Sequence, residues 1–221
     1  MSSQAKSNYP GLFVTLEGGE GSGKSTASGL IAAILRSGKR RVTETSEPRG
    51  SSIGLVTREI ILEDREQPLA PRTEALLLLA GRAQHVEEVI YPALSQGQIV
   101  LCDRFIDSTV AYQGYARGLG HEVLSDISLW ASDGVMPDLT FLFDIDPQIS
   151  LPRRYSAGNM NRMDREHADF HLAVREAFLS IAETNRDRFF VLDATQAPSE
   201  LAKIAAQEIF RRIHLKDTVE A

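Results

Sequence analysis

The chain has 221 residues, 43% hydrophobic and 24% charged, with one cysteine and a formal charge of −6. That balance excludes a disordered tail protein, and a lone cysteine excludes an internal disulfide, which suits a reducing compartment. Thirty acidic against 24 basic side chains argue against a nucleic-acid or anionic-membrane binder. No run approaches the roughly 18 apolar residues of a membrane span, and the polar first ten residues lack the apolar stretch of a signal peptide. A soluble, cytoplasmic protein is expected.

Residues 1–10 read as a polar tail and 216–221 as a second one, leaving 11–215 as one domain. Leu12 to Leu16 is a short apolar run of the kind that forms a strand buried on both faces. A glycine-rich stretch, Glu17 to Gly23, follows. Ala27, Leu30, Ile31, Ile34 and Leu35 then fall on one face of a helix that Ser37-Gly38 ends. Val42 to Thr45 is a weaker strand, and Arg72 to Ile90 reads as a long, mostly buried helix. Further strands are expected at Ile99–Cys102, Leu139–Phe143 and Phe189–Leu192, and a last helix from about Ser199, a plausible N-cap. Strands alternating with helices predict an α/β fold: a five-stranded parallel sheet with helices on both faces.

Gly18-Gly19-Glu20-Gly21-Ser22-Gly23-Lys24-Ser25 fits G-x-x-x-x-G-K-[ST] in full, with a strand before it and a helix after it. Glycines let backbone N–H groups converge on phosphate oxygens, and the helix N-terminus adds donors and partial positive charge. Lys24 is placed to reach the β- and γ-phosphates of a nucleotide, and the Ser25 hydroxyl to bind Mg²⁺. Asp103, at the carboxyl end of a buried strand, is a second candidate for the metal, directly or through water. Cys102 beside it reads as a buried, inert thiol. No Asn-Lys-x-Asp guanine-reading motif is present, which disfavours a GTPase, and the size suits a small-molecule kinase.

Four ordered blocks sharpen this reading. They are Leu16 to Thr26 around the phosphate loop, Asp103-Arg104-Phe105 through Ala111-Tyr112-Gln113-Gly114, Pro137-Asp138-Leu139-Thr140 through Asp144, and Asp193-Ala194-Thr195. With them the chain resembles the thymidylate kinase family, over about Leu12 to Ala197. The resemblance implies a P-loop fold, transfer of the ATP γ-phosphate to dTMP with Mg²⁺, and a homodimer.

The resemblance also implies site residues. Arg104 would grip the acceptor phosphate, which its forked guanidinium suits. Tyr112 would lie beneath the deoxyribose, and Ser108, Thr109 and Gln113 would approach the base. Arg82 would read a thymine carbonyl, and a charge inside an apolar helix needs a partner in any case. Glu20, a carboxylate that repels phosphate, would turn toward the acceptor sugar. Glu47 lies in a Glu-Pro turn like the family's; Arg49 after it stands where most bacterial relatives carry glycine, and from its place in this chain alone it is expected to reach the acceptor phosphate. Leu78 stands where the family often stacks a phenylalanine on thymine.

A lid is expected over 151–166, where Arg153, Arg154, Arg162 and Arg165 accompany a hinge-like Gly158-Asn159. The phosphate loop carries no arginine, so the resemblance is to the bacterial subtype whose lid supplies the catalytic one, with Arg153 and Arg162 the first choices. His167 and His171 share a helix face but lack the third ligand of a zinc site, and Lys39-Arg40-Arg41 reads as a solvated loop. Trp130 is expected in the core or on a dimer surface.

Overall fold

The structure is a computed structural model and describes residues 9–156, 158 and 160–219. Five strands form one parallel sheet: β1 Leu12–Glu17, β2 Val42–Ser46, β3 Ile99–Asp103, β4 Leu139–Asp144 and β5 Phe189–Asp193. Their spatial order is β2-β3-β1-β4-β5, so β1 lies in the centre with Leu16 opposite Asp103 on β3 and Phe141 on β4. The three central strands are apolar almost throughout because helices cover both faces. β2 is only half buried. It is an edge strand and needs less apolar surface, which explains its faint signal.

The helices are α1 Lys24–Ser37, α2 Ser52–Leu62, α3 Pro71–His85, α4 Tyr91–Ser95, α5 Ile106–Thr109, α6 His121–Ala131, α7 Pro147–Ser156, α8 Ala168–Thr184 and α9 Pro198–Val219. Side chains alternate across the sheet. Leu12, Val14, Leu16, Leu101 and Phe141 meet α1 and α9 in one core layer. Phe13, Val100, Cys102 and Leu142 meet α8, α4 and the residues Val86 and Ile90 before it in the other. On α1 the buried stripe includes Ala27, Ile31 and Leu35, while Leu30 is exposed.

Four expectations are revised. The helix expected over 72–90 is α3 followed by a π-helical turn at Val86–Ile90, and it runs on into α4. Pro92 cannot donate to the carbonyl four residues back, and a wide turn accommodates it. Tyr9 lies within the span expected as a tail, yet it is buried and donates its hydroxyl to Met136 O at 3.1 Å. Lys216, assigned to the opposite tail, belongs to α9 and donates to the carbonyls of Tyr9 and Gly11 at 3.0 and 2.7 Å. Trp130 is 82% exposed, so it is not a core residue.

Candidate active site

The turn from β1 into α1 forms the phosphate loop. Gly18 has φ +141°, and a Cβ there would stand 2.6 Å from the carbonyl oxygen of Phe143. Gly21 has φ +70°, and its Cβ would meet the carbonyl oxygen of Ser150 on α7 at 2.1 Å. Both positions therefore demand glycine. Gly23 is the N-cap of α1 at φ 88°, with no side-chain cap, so the first-turn N–H groups remain available to an anion.

Lys24 is buried, and its ammonium donates to Gly18 O at 3.0 Å, Gly19 O at 2.7 Å and Ser22 Oγ at 3.0 Å. Ser22 Oγ in turn donates to Gly19 O at 2.9 Å. Burial, and then the nearby Arg104 cation, lowers Lys24 to about 8, against the pull of Asp103, Glu20 and Glu17. A bound phosphate favours the ammonium, so proton loss from the free protein weakens binding. ATP affinity is therefore expected to be flat below about pH 8 and to fall toward tenfold per unit above it. Calorimetric titration across pH 6.5–9.5 checks this, and a flat profile would remove Lys24 as the titrating group.

Asp103 ends β3 beside this loop. Its Oδ2 accepts from Ser25 Oγ at 2.5 Å, while its buried Oδ1 has no hydrogen-bond partner. An orphaned carboxylate oxygen next to a hydroxyl is the hard, oxygen-only donor set that a magnesium ion takes. Thr26 completes this wall of the cleft. Cys102 is fully buried, and burial, with Glu47 and Asp103 nearby, pushes its thiol well up.

Arg104 follows Asp103 in a left-handed conformation, φ 71°, rare for a side chain of this size. Its N–H donates to Leu16 O at 3.0 Å. Its guanidinium donates to Glu20 at 2.7 Å, Ser108 Oγ at 3.1 Å and Gly18 O at 3.2 Å, and it lies 5.1 Å above the Tyr112 ring. Burial raises the Glu20 carboxyl, but Arg104 and then Lys24 overcome this and hold it below the ordinary range. Glu20 thus faces Arg104 and the Tyr112 hydroxyl, 3.1 Å away, rather than the phosphate loop. Tyr112 also packs edge-on against Phe170 and Phe178, so it is a core aromatic and a cleft residue at once.

Glu17, unremarked in the sequence, supports this group from beneath. It accepts from Phe105 N at 2.7 Å and Ser108 Oγ at 2.6 Å. Burial first, and then Asp107, raises its carboxyl to about 7. The signal available in the sequence was a lone acid closing an apolar strand.

Across the cleft, Arg82 is 2% exposed. It binds Glu47 through Nε at 2.9 Å and Nη2 at 2.6 Å, and donates further to Phe105 O, Thr109 Oγ1 and Ser128 Oγ. The charge in the apolar helix is thus paired, as its placement demands. Burial raises Glu47, but Arg82 outweighs it and keeps the carboxyl low. Arg49 and Leu78 line the same cleft, as does Gln113.

In the segment 151–166, Arg153 lines the cleft and, among the described residues, donates only to Ala194 O, at 3.2 Å. Arg154 lines it too, gripped by Asp164 through two 2.9 Å bonds. Arg162, expected beside the transferred phosphate, is instead bound by the buried Glu74 and the carbonyl of Ile61, 3.1 Å away, and stands outside the cleft wall. A carboxylate buried on α3 needs a cation, and Arg162 supplies it. Gly158 sits at φ +71°; Asn159 lies outside the described residues. Arg58 on α2 also lines the cleft, a residue that a lone arginine on an amphipathic helix gave no reason to select.

These residues enclose one cavity of about 620 Å³ at the carboxyl ends of β1 and β3, the ligand position of open α/β sheets. Phosphate loop, metal-suited Asp–Ser pair and forked arginine together define a P-loop nucleotide kinase. Among known families, the thymidylate kinase model matches residues 16–204. A thymidylate kinase from Clavibacter michiganensis is 47% identical over 193 residues, 87% of this chain and 91% of that protein. One from Halalkalibacterium halodurans is 44% identical over 207 residues, 93% and 99% of the two chains. The crystal structure of thymidylate kinase from Ehrlichia chaffeensis superposes with a TM-score of 0.71 at 33% identity, covering 88% of this chain and 98% of that one. The chain belongs to the thymidylate kinase family.

Proposed function

We propose that the protein transfers the γ-phosphate of ATP to dTMP, giving ADP and dTDP for dTTP synthesis in a bacterial cytoplasm. The observation that carries this reading is the single cleft shared by the phosphate loop and the Arg104–Glu20–Tyr112 group. Donor phosphates on the loop and an acceptor phosphate at Arg104 meet there end to end.

The acceptor is already an anion, so no strong general base is needed. An oxygen of the dTMP phosphate attacks the γ-phosphorus in line, and ADP leaves. Lys24 and the α1 N-terminus hold the donor phosphates, and Arg104 holds the acceptor phosphate, with Arg49 beside it. Ser25 and Asp103 would bind Mg²⁺, which supplies charge neutralisation at the β- and γ-phosphates. Catalysis is then alignment and preorganised charge. Arg82, Ser108, Thr109 and Gln113 take the base, with Leu78 against its face. The segment 151–166 acts as a lid that excludes water and brings the α7 arginines over the transferred phosphate.

A homodimer fits the exposed apolar residues Ile53, Val56, Leu76, Val123 and Trp130 on α2, α3 and α6. No helix among the described residues is long and apolar enough to cross a membrane. One preparation tests both parts. With ATP, dTMP is expected to turn over faster than dUMP, dCMP or thymidine, and light scattering to give the mass of two chains. Faster turnover of another acceptor overturns the substrate, ATP hydrolysis indifferent to any acceptor overturns the transferase reading, and a monomer mass removes the dimer.

A further inference from the structure

Glu74 opens α3 as a carboxylate 2% exposed, at the head of the apolar run Ala75–Ala80. Its two oxygens serve different segments of the chain. Oε1 accepts from the amide nitrogen of Gln113 at 2.8 Å. Oε2 accepts from Arg162 of the lid segment. Arg117 stands 3.6 Å from Oε1 and itself binds Glu166, the last residue of that segment, at 2.5 Å.

This arrangement fixes the Gln113 amide, which is 3% exposed and lines the cleft. A carboxylate only accepts, so the amide must turn its NH₂ toward Glu74. Its carbonyl oxygen is the atom left for a ligand. The reverse orientation would set oxygen against oxygen in a buried site.

We propose that Glu74 is a positioning residue that sets base choice and ties it to the lid. The proposal rests on the dTMP reading above. Thymine and uracil carry an N–H at N3, and cytosine carries a bare nitrogen there. An acceptor held toward N3 bonds the first two and repels the third. The same carboxylate captures Arg162, so closure of the lid and orientation of the base reader draw on one buried charge. Arg162 is then a latch that neutralises Glu74 while Gln113 is held.

The test is the ratio of kcat/KM for dTMP to that for dCMP. Glu74→Ala frees the Gln113 amide to turn, and the ratio is expected to fall by about tenfold or more, mainly through a higher KM for dTMP. Glu74→Gln keeps the size and one acceptor oxygen and is expected to give an intermediate ratio, which carries the test if the alanine variant does not fold. In a Gln113→Leu background, Glu74→Gln is expected to leave the ratio unchanged, because the two act as a unit. Equal losses on both acceptors, with the ratio at its wild-type value, overturn the proposal and mark Glu74 as structural. A wild-type protein that does not prefer dTMP removes the function itself, and this inference with it.

Discussion

Replacing Arg104 by alanine is expected to lower kcat for dTMP by about 10²–10³-fold while ATP still binds. The side chain is held in place before any substrate arrives. Its backbone is in a left-handed conformation anchored to Leu16 O, and its guanidinium is fixed by Glu20, Ser108 and the Tyr112 ring. Burial would lower its affinity for the proton, but Glu20 above all and then Tyr112 raise it, so the cation is permanent. An acceptor phosphate bound as proposed would meet a preformed fork whose charge costs little to reorganise. The donor phosphates depend on Lys24 and the α1 N-terminus, which the substitution leaves in place. Arg104→Lys keeps the charge but loses the fork, and is expected to recover only part of the rate. Single-turnover transfer with saturating ATP, beside calorimetric ATP binding, separates the two effects. Loss of ATP affinity in step with transfer would place Arg104 on the donor instead, and wild-type transfer would leave it a structural ion pair.

The same residues show what a sequence can display. The phosphate loop was legible because its chemistry is local: a strand, glycines at forced positions and a helix start lie within fifteen residues, and Gly18 and Gly21 are where backbone oxygens approach closest. The central strands were legible because burial on both faces leaves unbroken apolar runs. β2 was faint because an edge strand is half solvated. What could not be read is pairing across long separations. Glu47 to Arg82 spans 35 residues, Glu74 to Arg162 spans 88, and Glu17 to Ser108 spans 91. Each sets a buried carboxylate against a donor far along the chain, and nothing local in the sequence marks the two as partners. The arginines of the segment 151–166 illustrate the cost. Four of them look alike in sequence, and only their partners separate them: Asp164 holds Arg154, Glu74 holds Arg162 and the exposed Asp64 pairs with Arg165.

That separation leads to the second large effect. Arg153→Ala is expected to lower kcat by about 10³-fold, with ATP affinity nearly unchanged, whereas Arg162→Ala costs about tenfold. Arg154 is locked by Asp164 and Arg162 by Glu74, so moving either onto a phosphate breaks a charge-assisted bond to a buried carboxylate. Among the described residues, Arg153 gives up a single 3.2 Å bond, to the carbonyl of Ala194. It also lies one turn from Ser150, whose carbonyl abuts Gly21 of the phosphate loop. A short shift of α7 would carry this cation toward the phosphate loop, and at a γ-phosphate held there, where negative charge spreads in the transition state, a cation has its greatest effect. Arg154→Ala follows a different course. It leaves Asp164 buried without its partner, so its loss is expected to appear as lower thermal stability as well as slower turnover. Pre-steady-state rates for the three variants, beside their melting temperatures, read the assignment. A larger rate loss in Arg162→Ala than in Arg153→Ala would hand the catalytic role to Arg162, and would mean that Glu74 releases it when the substrates are in place.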